Sequence, residues 1–280
     1  MGIYKMYQII DDWLIFDEGF NEPLTNVVFP TGIQKVIFGR DFDQEMHNLP
    51  NNLTHLSFEY WGNFNQYVSQ LPNGLTYLTF GWNFNQDVSH LPNSLTHLIF
   101  GTKFNQNVNN LPNSITHLTF DYFFNQNIDR LPNRLTHLTF GYYFNQEMRN
   151  LSNSITHLRF GSCFNQDVSQ LPNNITYLKF GVCFNQDVNN LPNSLTYLSL
   201  GWNFNQDISK LPKNITYLKF NILDDSKFNH NLNLYLYHLT SFDIKDRHKH
   251  KRLMVERCQI NQHNRGIRED KLIDLLLKIE

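Results

Sequence analysis

The chain has 280 residues, and its 23 Lys and Arg against 25 Asp and Glu leave a formal charge of −2, which offers no general attraction to nucleic acid or an acidic membrane. Hydrophobic residues make up 41% and Phe alone occurs 24 times, so there is ample apolar material to bury. No stretch approaches the roughly 18 consecutive apolar residues of a membrane-crossing helix, and alanine, the best helix former, is missing altogether.

Residues 1–12, MGIYKMYQIIDD, read as a lead-in. They lack the basic start, apolar run and small-residue cleavage site of an export signal. Met6 stands where a myristoylation signal wants Ser or Thr. The cysteines are therefore expected as reduced, intracellular thiols, and the expected location is the cytoplasm, not a secreted form.

From 13 to 227 the chain repeats itself. Leu71, Leu91, Leu111, Leu131, Leu151, Leu171, Leu191 and Leu211 recur every 20 residues, and all but Leu151 precede a proline. Leu49 opens the series two residues out of step, because EYWGN at 59–63 lengthens its loop. Numbered from that Leu, the unit reads L-P-N-x-L-T-[HY]-L-x-F-G-x-x-F-N-Q-x-V-x-x, with apolar residues at unit positions 1, 5, 8, 10, 14 and 18. Apolar positions 8 and 10 alternate with polar 7 and 9, the pattern of a short strand with one buried face. Gly at position 11 marks the turn that follows. Pro at position 2 has no N–H and keeps the chain before the strand out of a ladder or a helix interior. Too few residues remain for a returning helix.

One unit cannot bury its own apolar face; stacked units pack Phe and Leu on both neighbours and pair their strand N–H groups. Phe64, Phe84 and their equivalents through Phe204 are predicted to form a continuous internal column. The Asn-Gln pairs that follow, from Asn65 to Asn205, are predicted to form an amide ladder that satisfies turn backbone groups. The fold class is a β-rich repeat solenoid, leucine-rich-repeat-like, with one short parallel strand per 20–22-residue coil.

The phrase FNQDVSQLPNNITYLKFG resembles an FNIP repeat, the leucine-rich-repeat-like unit of amoebae and of large DNA viruses that infect them. Matching units run from about Leu14 to Phe228. The family's unit is usually 22 residues with Pro after F-N-Q. Here Phe20-Asn21-Glu22-Pro23 keeps the Pro, and only the spacings from Phe20 to Phe42 and Phe42 to Phe64 are 22. The shortened units approach the L-P-x-x-L-x-x-L phrase of the short bacterial leucine-rich repeats. The resemblance implies a solenoid and, for a viral member, the host cell cytoplasm. Viral members often resemble F-box adaptors; the lead-in here is expected to be too short for an F-box.

What repeats holds such a structure together, and what varies on the outward strand face is where specificity can reside. Position 7 reads His55, Tyr77, His97, His117, His137, His157, Tyr177, Tyr197 and Tyr217, a stripe of stacked rings. Two roles fit it: a ladder that stabilises the sheet, and a platform for a partner, since aromatic rings are favoured interface contacts. A metal is not expected, because a straight row lacks the convergent geometry that zinc wants. Beside it, position 9 changes from Thr79, Ile99, Thr119 and Thr139 to Arg159, Lys179 and Lys219, a positive end suited to an acidic partner. Cys163 and Cys183 share a position in neighbouring coils and are expected as two free thiols; Cys258 has no motif of a nucleophile around it.

Beyond the array, 228–244 reads as a degenerate capping coil and 245–252, KDRHKHKR, as a basic junction. The end, REDKLIDLLLKIE at 268–280, reads as a short amphipathic helix that caps the last coil or docks a partner. No paired carboxylates, nucleophile with base, or phosphate-binding Gly loop is present, so no catalytic, cofactor-binding or metal residue is expected. The expected function is that of a monomeric, non-enzymatic scaffold presenting the His/Tyr stripe to an unidentified protein partner, without membrane contact. The alternatives are nucleic-acid or anion binding through 245–252 with Arg159, Lys179 and Lys219, nucleic acid being the less favoured, and a ubiquitin-ligase substrate adaptor docking through the C-terminal helix.

Overall fold

The computed structural model describes residues 6–222, 241–246 and 252–256. The chain opens with an antiparallel hairpin of β1 (Tyr7–Ile10) and β2 (Trp13–Phe16), whose turn is Asp11-Asp12 with both φ angles positive, 47° and 67°. Two left-handed residues make the kind of turn whose twist matches a hairpin, and Asp tolerates that region better than most residues. The segment expected to be a plain lead-in thus contributes the first strand. A single 3-10 turn, Leu24–Asn26, follows within the first coil.

One strand per coil comes next: β3 (Lys35–Phe38), β4 (His55–Phe58), β5 (Tyr77–Thr79), β6 (His97–Ile99), β7 (His117–Thr119), β8 (His137–Thr139), β9 (His157–Arg159), β10 (Tyr177–Lys179), β11 (Tyr197–Leu200) and β12 (Tyr217–Ile222). The sheet continues to β13 (Ser241–Asp246) and β14 (Arg252–Glu256), and its strand order is the chain order. Strands β2 to β13 run parallel, and β14 turns back antiparallel on β13. The 20-residue period keeps the register: His97 pairs with His117, Leu98 with Leu118. This is the predicted solenoid. Of the expected capping coil and basic junction, only 241–246 and Arg252 fall among the described residues, and the helix expected at 268–280 lies outside them.

Strand alternation sends Leu78, Leu98 and Leu118 and the following Phe80, Phe100 and Phe120 inward, all at most 2% exposed. The Phe at unit position 14 is the predicted internal column, and it lies face to face with the position-10 Phe of its own coil: Phe80 and Phe84 have centroids 3.6 Å apart, Phe120 and Phe124 3.7 Å. Close stacking leaves no space where the strand ends. A Cβ on Gly181 would sit against the backbone carbonyl of Gly161 in the coil before it, which is why glycine recurs there.

Equivalent rings in successive coils measure the local spacing of the stack, and that spacing is not uniform. On the outward strand face His97, His117, His137 and His157 repeat at 4.2 Å. Inside, the position-10 Phe from Phe100 to Phe180 repeat at 5.5–5.7 Å. The position-14 Phe, deeper still, repeat at 6.0–6.2 Å from Phe84 to Phe204. The solenoid therefore bends with its strand face concave.

That gradient explains the Asn-Gln pairs. On the strand side, backbone groups of neighbouring coils bond directly: Thr116 N–H donates to Thr96 O at 2.9 Å and Phe100 N–H to Thr119 O at 2.9 Å. Beyond the position-14 Phe, side chains bridge the coils instead. Asn85, Asn105, Asn125, Asn145, Asn165, Asn185 and Asn205 each donate their N–H to the Oδ1 of the preceding coil's Asn at 2.8–2.9 Å. Gln86, Gln106 and Gln126 add Nε2–H bonds to the same Asn, on its backbone oxygen, its Oδ1 or both. The predicted amide ladder is present, and it satisfies backbone donors that a wider spacing leaves without a carbonyl.

Candidate binding face

The concave face is built from unit positions 7 and 9. Every ring of the predicted stripe, His55 through Tyr217, is half-buried and in register with its neighbours. Tyr177 and Tyr197 stack at 4.2 Å, Tyr197 and Tyr217 at 4.6 Å, while mixed His–Tyr neighbours stand 5.5–5.6 Å apart. At the N-terminal end Trp13 packs edge-on against His55, with the Lys35 ammonium 5.8 Å from the Trp13 ring centroid.

Each histidine is anchored by the threonine before it. Nδ1 of His97, His117, His137 and His157 lies 2.9 Å from the Oγ1 of Thr96, Thr116, Thr136 and Thr156. Those same hydroxyls lie 3.1–3.2 Å from the preceding threonine's carbonyl oxygen. A hydroxyl has one proton to give, so both contacts are satisfied when Nδ1–H donates to Oγ1 and Oγ1–H donates onward. Nε2 then carries the lone pair and is the nitrogen free to meet a partner. Burial holds the imidazoles of His55, His117 and His137 below the usual histidine range, and neighbouring positive charge, Lys35 and His97 for His55 and other stripe histidines for His117 and His137, lowers them further. His55, His117 and His137 are thus neutral acceptors at pH 7.

The cations predicted beside the stripe fall where expected. Arg159, Lys179 and Lys219 occupy position 9 of β9, β10 and β12, with Ser199 of β11 between the two lysines. Cys163 and Cys183 are free thiols on adjacent coils, and burial and then the neighbouring Cys183 push the Cys163 thiol up. Among the described residues no group of three or more His, Cys, Asp or Glu is arranged to hold a metal, and no helix is long and apolar enough to cross a membrane.

A second surface is not one the repeat reading singled out. Where the strands end, unit positions 12 and 13 carry Tyr60, Trp61, Trp82, Tyr122, Phe123, Tyr142 and Tyr143, most of them exposed. Trp61 stacks on Trp82 at 4.7 Å and Tyr122 on Tyr142 at 4.8 Å. The two extra residues of the 59–63 loop let Tyr60 reach over two coils: its hydroxyl donates to Asp121 Oδ2 at 3.4 Å, which also accepts from the buried Thr102 hydroxyl at 2.9 Å. The signal was in the sequence, as aromatic residues at two otherwise variable positions.

Fold and face together define a class, the leucine-rich-repeat-like β-solenoids, here with a ring-lined concave sheet. Within it, the FNIP Repeat model matches residues 20–61, 64–103, 88–123, 124–163, 144–183 and 184–221, and the chain belongs to the FNIP repeat family. A solved structure described as that of CroV588, a novel circular leucine-rich-repeat protein, from a giant virus, is similar over 86% of this chain at 38% identity, with a TM-score of 0.71. The chain spans 41% of that protein's length. No curated protein matches it.

Proposed function

We propose that this chain is a non-catalytic interaction scaffold whose concave face engages a protein partner. One observation carries the reading: the side chains that face outward from the sheet form an unbroken, half-buried column of rings, His55 through Tyr217, prepared to meet several contacts at once. Stacked rings are already ordered, so a partner docking on them sacrifices little side-chain freedom. Solenoids of the FNIP and leucine-rich-repeat kind are typically non-catalytic. The open depression between Val27–Gly32 and Asn48, Pro50 and Asn52 is lined by no titratable side chain.

The test is affinity capture from extract of the chain's native cells, with wild type as bait beside a variant carrying His97→Ser, His117→Ser, His137→Ser and His157→Ser. The expected result is a partner held by wild type and lost by a variant that still melts cooperatively. A partner retained equally by both would make the stripe a purely structural ladder and end the proposal.

A further inference from the structure

From β4 to β12 every residue at positions 7 and 9 is neutral or cationic, and the cations are confined to one end. There Arg159 is exposed and Lys179 half-buried, on adjacent strands about 4.8 Å apart. Among the described residues neither makes an ion pair with a carboxylate. Burial, and then the positive charges of Arg159 and Lys219, lower the Lys179 ammonium below its usual range, so like charges are held together here at a cost. Between the two lysines in the register lies Ser199, 0% exposed, whose Oγ has no hydrogen-bond partner. A buried hydroxyl without a partner is uncommon enough to require a reason. In the next column Tyr197 is bonded to Tyr177, and burial pushes its ionisation far up, so its hydroxyl remains a donor at every physiological pH.

We propose that Arg159 and Lys179, with the Ser199 hydroxyl that lies between Lys179 and Lys219 in the strand register, form a binding site for one phosphate group carried on a serine or threonine of the partner protein. The proposal rests on the concave face being the partner-binding face. A guanidinium fork, an ammonium and a hydroxyl are more donors than the two oxygens of a carboxylate use well, and a phosphate offers three oxygens and nearly two charges. A nucleic-acid backbone would need cations repeated along the face, and position 9 instead carries Thr79, Ile99, Thr119 and Thr139 over the preceding coils. The imidazole of His157, on the same strand as Arg159 and anchored through Nδ1 by Thr156, turns Nε2 toward the peptide around the phosphate.

The test uses the full chain and a degenerate peptide pool with a fixed central phosphoserine, compared with the same pool carrying serine, with inorganic phosphate as competitor and a single-stranded RNA of random sequence as a separate arm. The phosphoserine pool should be retained about tenfold more than the serine pool, and Arg159→Ala and Lys179→Ala should each remove about tenfold of that retention. Ser199→Ala should weaken retention severalfold without lowering the melting temperature, because it deletes an unpartnered hydroxyl. Equal retention of the two pools, or retention that survives both cation substitutions, would overturn the proposal. So would RNA binding more tightly than the phosphoserine pool. If the protein captured by wild type is lost by the four-histidine variant but kept by Arg159→Ala/Lys179→Ala, the scaffold reading stands and the phosphate site alone falls.

Discussion

Asn105 holds two coils together through a single oxygen. Its Oδ1 accepts the Asn125 N–H at 2.9 Å and the Gln126 Nε2–H at 3.1 Å, while its own N–H is held by Asn85 Oδ1. What the site needs is an acceptor, and Asp43 shows it: in that coil a carboxylate oxygen takes the Asn65 N–H and the Gln66 amide in the same way. Asn105→Leu leaves a half-buried backbone donor unpaired and is expected to cost about 1–3 kcal/mol. Asn105→Asp is expected to cost clearly less. Urea unfolding of both variants checks the pair, and equal losses would mean that the amide matters for something other than its oxygen.

A column of like side chains behaves differently from any one of them. His97 to His157 stand 4.2 Å apart, so each imidazolium that forms raises the work of forming the next. Because burial and neighbouring charge lower His55, His117 and His137 in the folded chain, the unfolded chain binds more protons below the ordinary histidine pKa of about 6.5. Folding is therefore favoured above that pH and loses stability as pH falls through the depressed folded values. The melting temperature should drop between pH 7.5 and 5, and the drop should shrink in His117→Tyr/His137→Tyr, where tyrosines continue the stack without a titrating ring. The carboxylates act in a separate window: hydrogen bonds from Ser169 and Ser209 hold Asp167 and Asp207 below the usual range, so their contribution is lost only in stronger acid. A melting temperature flat from pH 7.5 to 5 would contradict the picture of a neutral column. The column itself was legible, since a 20-residue period fixes which side chains coincide. Its tautomer was not, because that depends on the threonine hydroxyls lying within reach of both a carbonyl and an imidazole.

The molecule as a whole is a bent stack, and the bend divides what the letters reveal from what they hide. Period, strand position, inward Phe columns and outward stripe all follow from alternation within a repeated unit. The side to which the stack curves depends on how far apart rings settle at each depth, and no residue type encodes that alone. The hairpin at Asp11-Asp12 was missed because neither residue is the Asn-Gly or Gly-Gly that announces such a turn. The aromatic ridge at Tyr60, Tyr122 and Tyr142 was passed over because attention to what repeats discounts positions that vary.

Whether the concave face is where a partner sits is decided most directly by crosslinking from defined positions. A photoreactive benzoylphenylalanine would replace Tyr77 on the concave stripe in one protein and Asn173, exposed in the turn that leads into β10, in another. Irradiated in native extract, the Tyr77 protein should form an adduct with the partner and the Asn173 protein should not. An adduct formed from Asn173 alone would place the partner off the stripe and contradict the account.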